Sequence, residues 1–156
     1  MQYWLLKTEP NEFSYTDLEK SATTTRWDGI RNYQARNLIR EQIKKGDKVF
    51  IYHSSCKKTG IAGTAEVTSE AYPDPAQFDS ASPYYDPKSS KEKPKWYCMN
   101  IRAIEAYTPL LSSQTLKQQA GLKNMQLFKQ ARLSVQAVSK TEWLYIEKLQ
   151  QRESFK

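Results

Sequence analysis

Lys48–His53 constrains the fold more than any other stretch of this chain. Val49 and Ile51 point one way along an extended strand and Phe50 and Tyr52 the other, so apolar side chains occupy both faces. Such a strand belongs in the interior of a sheet, with a packed layer above and below it. Across a short loop, Gly60–Thr68 is again strand-like, with Ile61, Gly63, Ala65 and Val67 on one side, and the two segments read as a hairpin. Gly63 within that strand marks a close approach of other backbone or of a ligand.

The remaining segments surround this hairpin. Gln2–Lys7 and Trp96–Ile104 read as strands that end at Pro10 and Pro109, and Ser134–Val138 as a short last strand. Ser14 with Asp17 forms a capping box for a helix to about Lys20, followed by a polar connection over Ser21–Arg26. Asn32 is an N-cap for a helix with the apolar stripe Ala35, Leu38, Ile39 and Ile43, stopped at Lys45-Gly46-Asp47. Ser112–Gln119 and Met125–Arg132 read as short helices with Gly121 as the stop between them. Ser139 and Glu142 open a last helix through about Gln150, with Trp143, Ile146 and Leu149 on its core side. Tyr72–Pro94 is irregular and proline-rich; its tyrosines make it an ordered loop rather than a linker. With mostly antiparallel neighbours the class is α+β, a strongly curved sheet or small barrel flanked by helices, and 156 residues make one domain.

Only 38% of the residues are hydrophobic, but 10 Tyr and 4 Trp supply apolar area. The net charge is +7, concentrated in residues 31–60 and 88–156, which suits a polyanionic partner. One His and two Cys are too few for a four-ligand zinc site. Five Gly without a phosphate-loop pattern argue against nucleotide-loop folds, and no Gly-x-Ser-x-Gly elbow is present. Cys56 and Cys98 read as reduced thiols, which fits a cytoplasmic location, and no apolar run is long enough to span a membrane.

What remains is aromatic, amide and basic chemistry, densest in Trp27–Arg36. A ring on the Asp28-Gly29 turn, a helix N-terminus and a Tyr33/Arg36/Arg40 face suit a flat heterocycle carrying phosphate. Trp96, Tyr84 and Tyr85 are further rings, and Asn32, Asn100 and Gln136 can read a base edge. Arg31, Arg36, Arg40, Lys88, Lys91, Lys93 and Lys95 are candidates for phosphate contacts. Each has a plainer alternative: Trp27 and the tyrosines as core, the cations as a solvated surface. His53 reads as a strand-end hydrogen-bonding residue.

Several blocks in order resemble the EVE domain family. They are Tyr3-Trp4-Leu5-Leu6-Lys7-Thr8-Glu9-Pro10, Trp27 through Asn37, Tyr52-His53-Ser54 with Gly60-Ile61-Ala62-Gly63, Ala71 through Pro75, Tyr85-Asp86-Pro87-Lys88, Pro94 through Tyr97, and Arg132-Leu133-Ser134-Val135-Gln136. Ala137-Val138 departs from the Pro-Val of many members. The resemblance implies a PUA-like fold, a small bent β-barrel with flanking helices, and kinship with YTH and ASCH domains. It implies a non-enzymatic module that binds a modified base, such as methylated or hydroxymethylated cytosine, in DNA or RNA. By position, Lys7, Thr8 and Glu9 would floor the pocket and Trp27 would be a wall. Asn32, Tyr33 and Arg36 would close one side, His53 and Ser54 the other, Ser134 and Gln136 would form the rim, and Trp96 would be a second ring. The expected partner is nucleic acid, with no cofactor, metal or membrane, and the chain is expected to be a monomer. Two competing readings are an RNA-acting enzyme using Lys7, His53 or Tyr33 as acid or base, as in ribonuclease-like ASCH relatives, and a module for a small ligand or protein partner.

Overall fold

The structure is a computed structural model and describes residues 1–21 and 23–154. Ala22, in the expected Ser21–Arg26 connection, and residues 155–156 at the end of the expected domain lie outside the described residues. Among the described residues there are seven strands: β1 (Tyr3–Thr8), β2 (Thr25–Trp27), β3 (Lys48–His53), β4 (Gly60–Val67), β5 (Tyr72–Pro73), β6 (Tyr97–Ser112) and β7 (Val135–Val138). The helices are α1 (Tyr15–Glu19), α2 (Tyr33–Glu41), α3 (Ser113–Lys117), α4 (Gln126–Lys129) and α5 (Lys140–Ser154). The strands pair in the order β2-β6-β4-β3-β1-β7, with β5 added on β6. All pairs are antiparallel except β1 with β3, which run parallel. A parallel pair cannot be joined by a hairpin, so the chain travels through α1, β2 and α2 between them. No pairing joins β7 to β2 among the described residues, so the sheet is a half-barrel.

β3 lies inside this sheet, as its two-faced pattern requires. Val49 and Ile51 join Trp4 and Leu6 of β1 in one apolar layer with Ala35 and Ile39 of α2. Phe50 and Tyr52 join Leu5 in a second layer with Leu116 of α3 and Trp143, Ile146 and Leu149 of α5. Phe50 stacks on Trp143 with ring centroids 3.8 Å apart. β6 serves both layers: Met99 and Ile101 lie in the first, Tyr107 and Leu111 in the second. Two register slips against β4, between Ile61 and Gly63 and between Thr64 and Ala65, let the strand bend between them. Gly63 sits at the bend, where an added Cβ would lie 2.5 Å from the Tyr15 ring and 2.6 Å from the Glu105 carbonyl.

Four expectations change. The connection before Trp27 ends in β2, whose three residues pair with Met99–Ile101 and are too few for alternation to register. Pro109 does not end its strand; it falls in the slipped stretch between Ala106 and Leu111, where a missing N–H breaks no ladder bond. α4 stops at Lys129, ahead of the expected Arg132, and α5 continues past Gln150 to Ser154. The caps are as expected: Ser14 and Asp17 cap α1 reciprocally, and Asn32 accepts from the Ala35 N–H. No helix among the described residues is long and apolar enough to cross a membrane.

The closed end of the sheet is tied by Asp47, a buried carboxylate. It accepts from Trp4 Nε1 (2.9 Å), the Gln2 N–H (3.0 Å) and the Lys44 N–H (2.9 Å). Asp47→Ala strands these donors and is expected to cost about 3 kcal/mol, read as a lower urea midpoint with the slope unchanged. A midpoint equal to wild type would show that the tie carries no stability.

Candidate functional site

A cleft of about 610 Å³ opens beside Trp27, within the range of small-ligand sites. It takes its walls from both ends of the strand order: β2 with the turn Asp28–Ile30 on one hand, and Ala131, Arg132 and Ser134 just ahead of β7 on the other. Lys7, Thr8 and Glu9 contribute the end of β1, Ser54 and Ser55 the end of β3, Glu12 and Phe13 the turn before α1, and Tyr84 the long loop. Backbone hydrogen bonds stitch these strand ends together. The Ser54 N–H donates to the Thr8 carbonyl and the Lys7 N–H to the Ser134 carbonyl, both at 2.9 Å. Thr8 Oγ1 donates to the Phe13 carbonyl at 2.7 Å, which folds the Glu9–Phe13 turn back onto β1.

Trp27 is only 7% exposed. Its indole belongs to the first apolar layer, meets Phe13 edge to face at 6.0 Å, and also lines the cleft. The wall it stands in is held by Asp74, which is fully buried. Asp74 Oδ2 accepts from the Gly29 N–H (2.9 Å) and from Arg31 (3.0 Å), while Oδ1 accepts from the Ala76 N–H (2.8 Å). Gly29 has φ +81°, and a Cβ there would lie 2.8 Å from the Tyr84 ring. Glycine is therefore needed twice, for the turn and for the ring that closes over it.

Six of the sequence-derived site residues line the cleft: Lys7, Thr8, Glu9, Trp27, Ser54 and Ser134. The structure places the other six elsewhere. The Asn32 side chain is used in capping α2. Trp96 is buried, donates through Nε1 to Asp86 at 2.8 Å, and stacks on Tyr33 at 4.9 Å. Arg36 lies over the other face of that assembly, 4.9 Å from the Tyr33 centroid, and donates to the Lys95 carbonyl at 2.7 Å. Gln136 is buried and donates to the Gln130 and Leu133 carbonyls. His53 Nε2 accepts from the Tyr15 N–H at 3.0 Å, satisfying the first free donor of α1. Asn32, Tyr33, Arg36 and Trp96 share one reason: after the Gly29 turn the chain leaves the cleft, and the start of α2 packs on the end of the long loop instead.

Among the expected phosphate contacts, Arg31 is consumed by Asp74 and by two bonds to the Tyr84 carbonyl, and Arg40 pairs with Glu41 at 2.8 Å. Lys88, Lys91 and Lys93 are exposed, and Lys95 is half-buried. Sequence reasoning missed Phe13, Arg26 and Arg132 in the lining. Phe13 has a signal, since a hydrophobic residue just before an N-cap commonly folds against its helix. Arg26 has none, because β2 was not visible. It pairs with Asp28 at 2.9 Å across the cleft wall. Lys7 Nζ donates to the Ala131 carbonyl at 2.6 Å, and burial lowers its pKa.

The chain is an α+β half-barrel whose cleft opens at the unpaired ends of its strand order. The model of the EVE domain matches residues 2–149, and the chain belongs to that family. It is 39% identical to human thymocyte nuclear protein 1 over 169 residues, covering 97% of this chain and 75% of that protein. A protein from Leishmania major superposes with a TM-score of 0.94 at 44% identity, covering 99% of this chain and 97% of that one. The human protein crystallised with DNA containing 5-methylcytosine superposes with a TM-score of 0.91 at 39% identity, covering 96% and 98%. A Zygosaccharomyces rouxii YTH domain in complex with N6-methyladenosine RNA shares the fold, with a TM-score of 0.57 at 15% identity. The PUA-like architecture is thus common to both.

Burial holds the His53 imidazole below its ordinary value near 6.5. The unfolded chain therefore takes up a proton first as pH falls. The stability from neutral His53 is complete above about pH 6.5 and drains away as pH drops toward the folded value. His53 is the only histidine, so one imidazole resonance reports it. Its NMR titration midpoint is expected below 6.5, and the Tm loss between pH 7 and 5.5 should be smaller in His53→Gln. A midpoint at or above 6.5 contradicts this.

Proposed function

We propose that this chain is a non-enzymatic reader of a modified base, with methylated cytosine in DNA the leading substrate. The observation that carries the reading is the cleft itself: an indole wall beside strand ends rich in hydroxyls and carboxylates. A base extruded from its stack needs such a wall for its face and such groups for its edge. The human relative's complex with 5-methylcytosine DNA supports the same choice of ligand. The module acts as one monomeric unit. Glu9, Ser54 and Ser134 check the base edge, and Trp27 with Phe13 supplies the apolar surface.

The ribonuclease reading has less support. His53, its best acid or base, has Nε2 committed to the Tyr15 N–H and stands outside the lining. RNA labelled at one end and incubated with excess protein should remain intact. The appearance of cuts that vanish in His53→Gln would instead favour an enzyme.

The central test compares affinity for one DNA strand with and without a 5-methylcytosine. A stacked ring is worth roughly 1–3 kcal/mol per base. Trp27→Ala should therefore weaken the modified strand about 5- to 150-fold and bring the preference ratio toward one. Because Trp27 is also core, Trp27→Phe is measured beside it and should keep the fold while lowering the ratio. Equal ratios in all three proteins would reject the proposal.

A further inference from the structure

We propose that the phosphodiester backbone of the bound strand runs over the bank of the cleft formed by the β3–β4 loop and the α4–β7 loop, held by Lys57, Lys58 and Arg132. This deepens the nucleic-acid reading above and depends on it. The inference starts from which cations are free. Arg31 is bonded to Asp74 and to the Tyr84 carbonyl, Arg36 to the Lys95 carbonyl, and Arg40 to Glu41. These cations are already neutralised or oriented by the protein, so they have little left to offer a phosphate. The side chains of Lys57, Lys58 and Arg132 are exposed and have no hydrogen-bond or ion-pair partner among the described residues.

Their placement is set by the cleft. Lys57 and Lys58 follow Ser54 and Ser55, which line it, and Arg132 lines it directly. The two loops issue from one edge, because the Ser54 N–H bonds Thr8 and the Ser134 carbonyl accepts from Lys7. The lysine loop is also fixed in shape. Ser55 turns it with φ +53°, and Thr59 closes it by accepting from the Ser113 N–H at 2.9 Å and sharing a 2.6 Å hydroxyl contact with Ser113. The cations are therefore presented from a loop anchored at both ends, which lowers the ordering cost of binding.

Charge separates the two tasks. Within the lining, Arg26 pairs with Asp28 and Lys7 donates to the Ala131 carbonyl, so apart from Arg132 the interior holds no unengaged cation and suits an uncharged base. The bank beyond it adds only positive charge, which suits the phosphates on either side of that base.

The test measures the salt dependence of affinity for a short single DNA strand carrying one 5-methylcytosine, and for the same strand unmodified. Lys57→Gln/Lys58→Gln is expected to reduce the slope of log K against log salt by about 1.4, near 0.7 per lost contact on single strands. Both strands should weaken alike, leaving the preference ratio unchanged. Arg132→Gln should lower the slope further. Lys148→Gln, an exposed cation on α5 outside the lining, should leave it unchanged. An unaltered slope in the double variant, or an equal drop in Lys148→Gln, overturns the proposal. Wild type binding both strands equally at every salt concentration would sink base reading while the slopes still decide the phosphate path.

Discussion

The cleft depends on one buried carboxylate. Asp74 has no exposure to solvent, and a charge in that position is tolerated only when it is fully partnered. It has three partners, and they lie in two different segments: Gly29 and Arg31 in the turn after Trp27, and Ala76 in the long loop. Through Arg31 the link reaches the Tyr84 carbonyl, and the Tyr84 ring lies over Gly29. A layered stack continues away from the cleft, with the Arg31 guanidinium between Tyr84 and Trp96, then Tyr33, then Arg36. The loop from Tyr72 onward is thus one wall of the site rather than a decoration on it.

The parts of the fold legible in the sequence were those whose information is local. Apolar residues on both faces placed β3 in the interior, and Ser14, Asn32 and Ser139 marked helix starts through oxygens that do cap. Long-range pairing was not legible. β2 owes its existence to Met99–Ile101 and carries no signal of its own in three residues. The course of β6 through Pro109 depends on a register slip against β4, which no property of Pro109 encodes. The parallel pairing of β1 with β3 follows from the crossover, not from either strand.

For the site, the dividing line was the same. Lys7 to Glu9, Ser54 and Ser134 were named by position from the family resemblance, and the structure puts them at strand ends that line the cleft. Ten consecutive residues around Trp27 looked like one surface, but Gly29 splits them: Trp27 goes to the cleft while Asn32, Tyr33 and Arg36 go to the cap and the stack with Trp96. Residue type could not say that Trp96 would stack on the protein's own tyrosine, with Arg36 beside it. Asp74 escaped notice because an Asp-Pro pair in a loop looks like a turn starter, and it is also that.

The double placement of Trp27 has an evolutionary consequence. An indole that closes a hydrophobic layer and also lines the cleft cannot be exchanged without disturbing the folded scaffold. Change that spares the scaffold is therefore channelled to the hydroxyls and carboxylates around it, such as Glu9, Ser54 and Ser134.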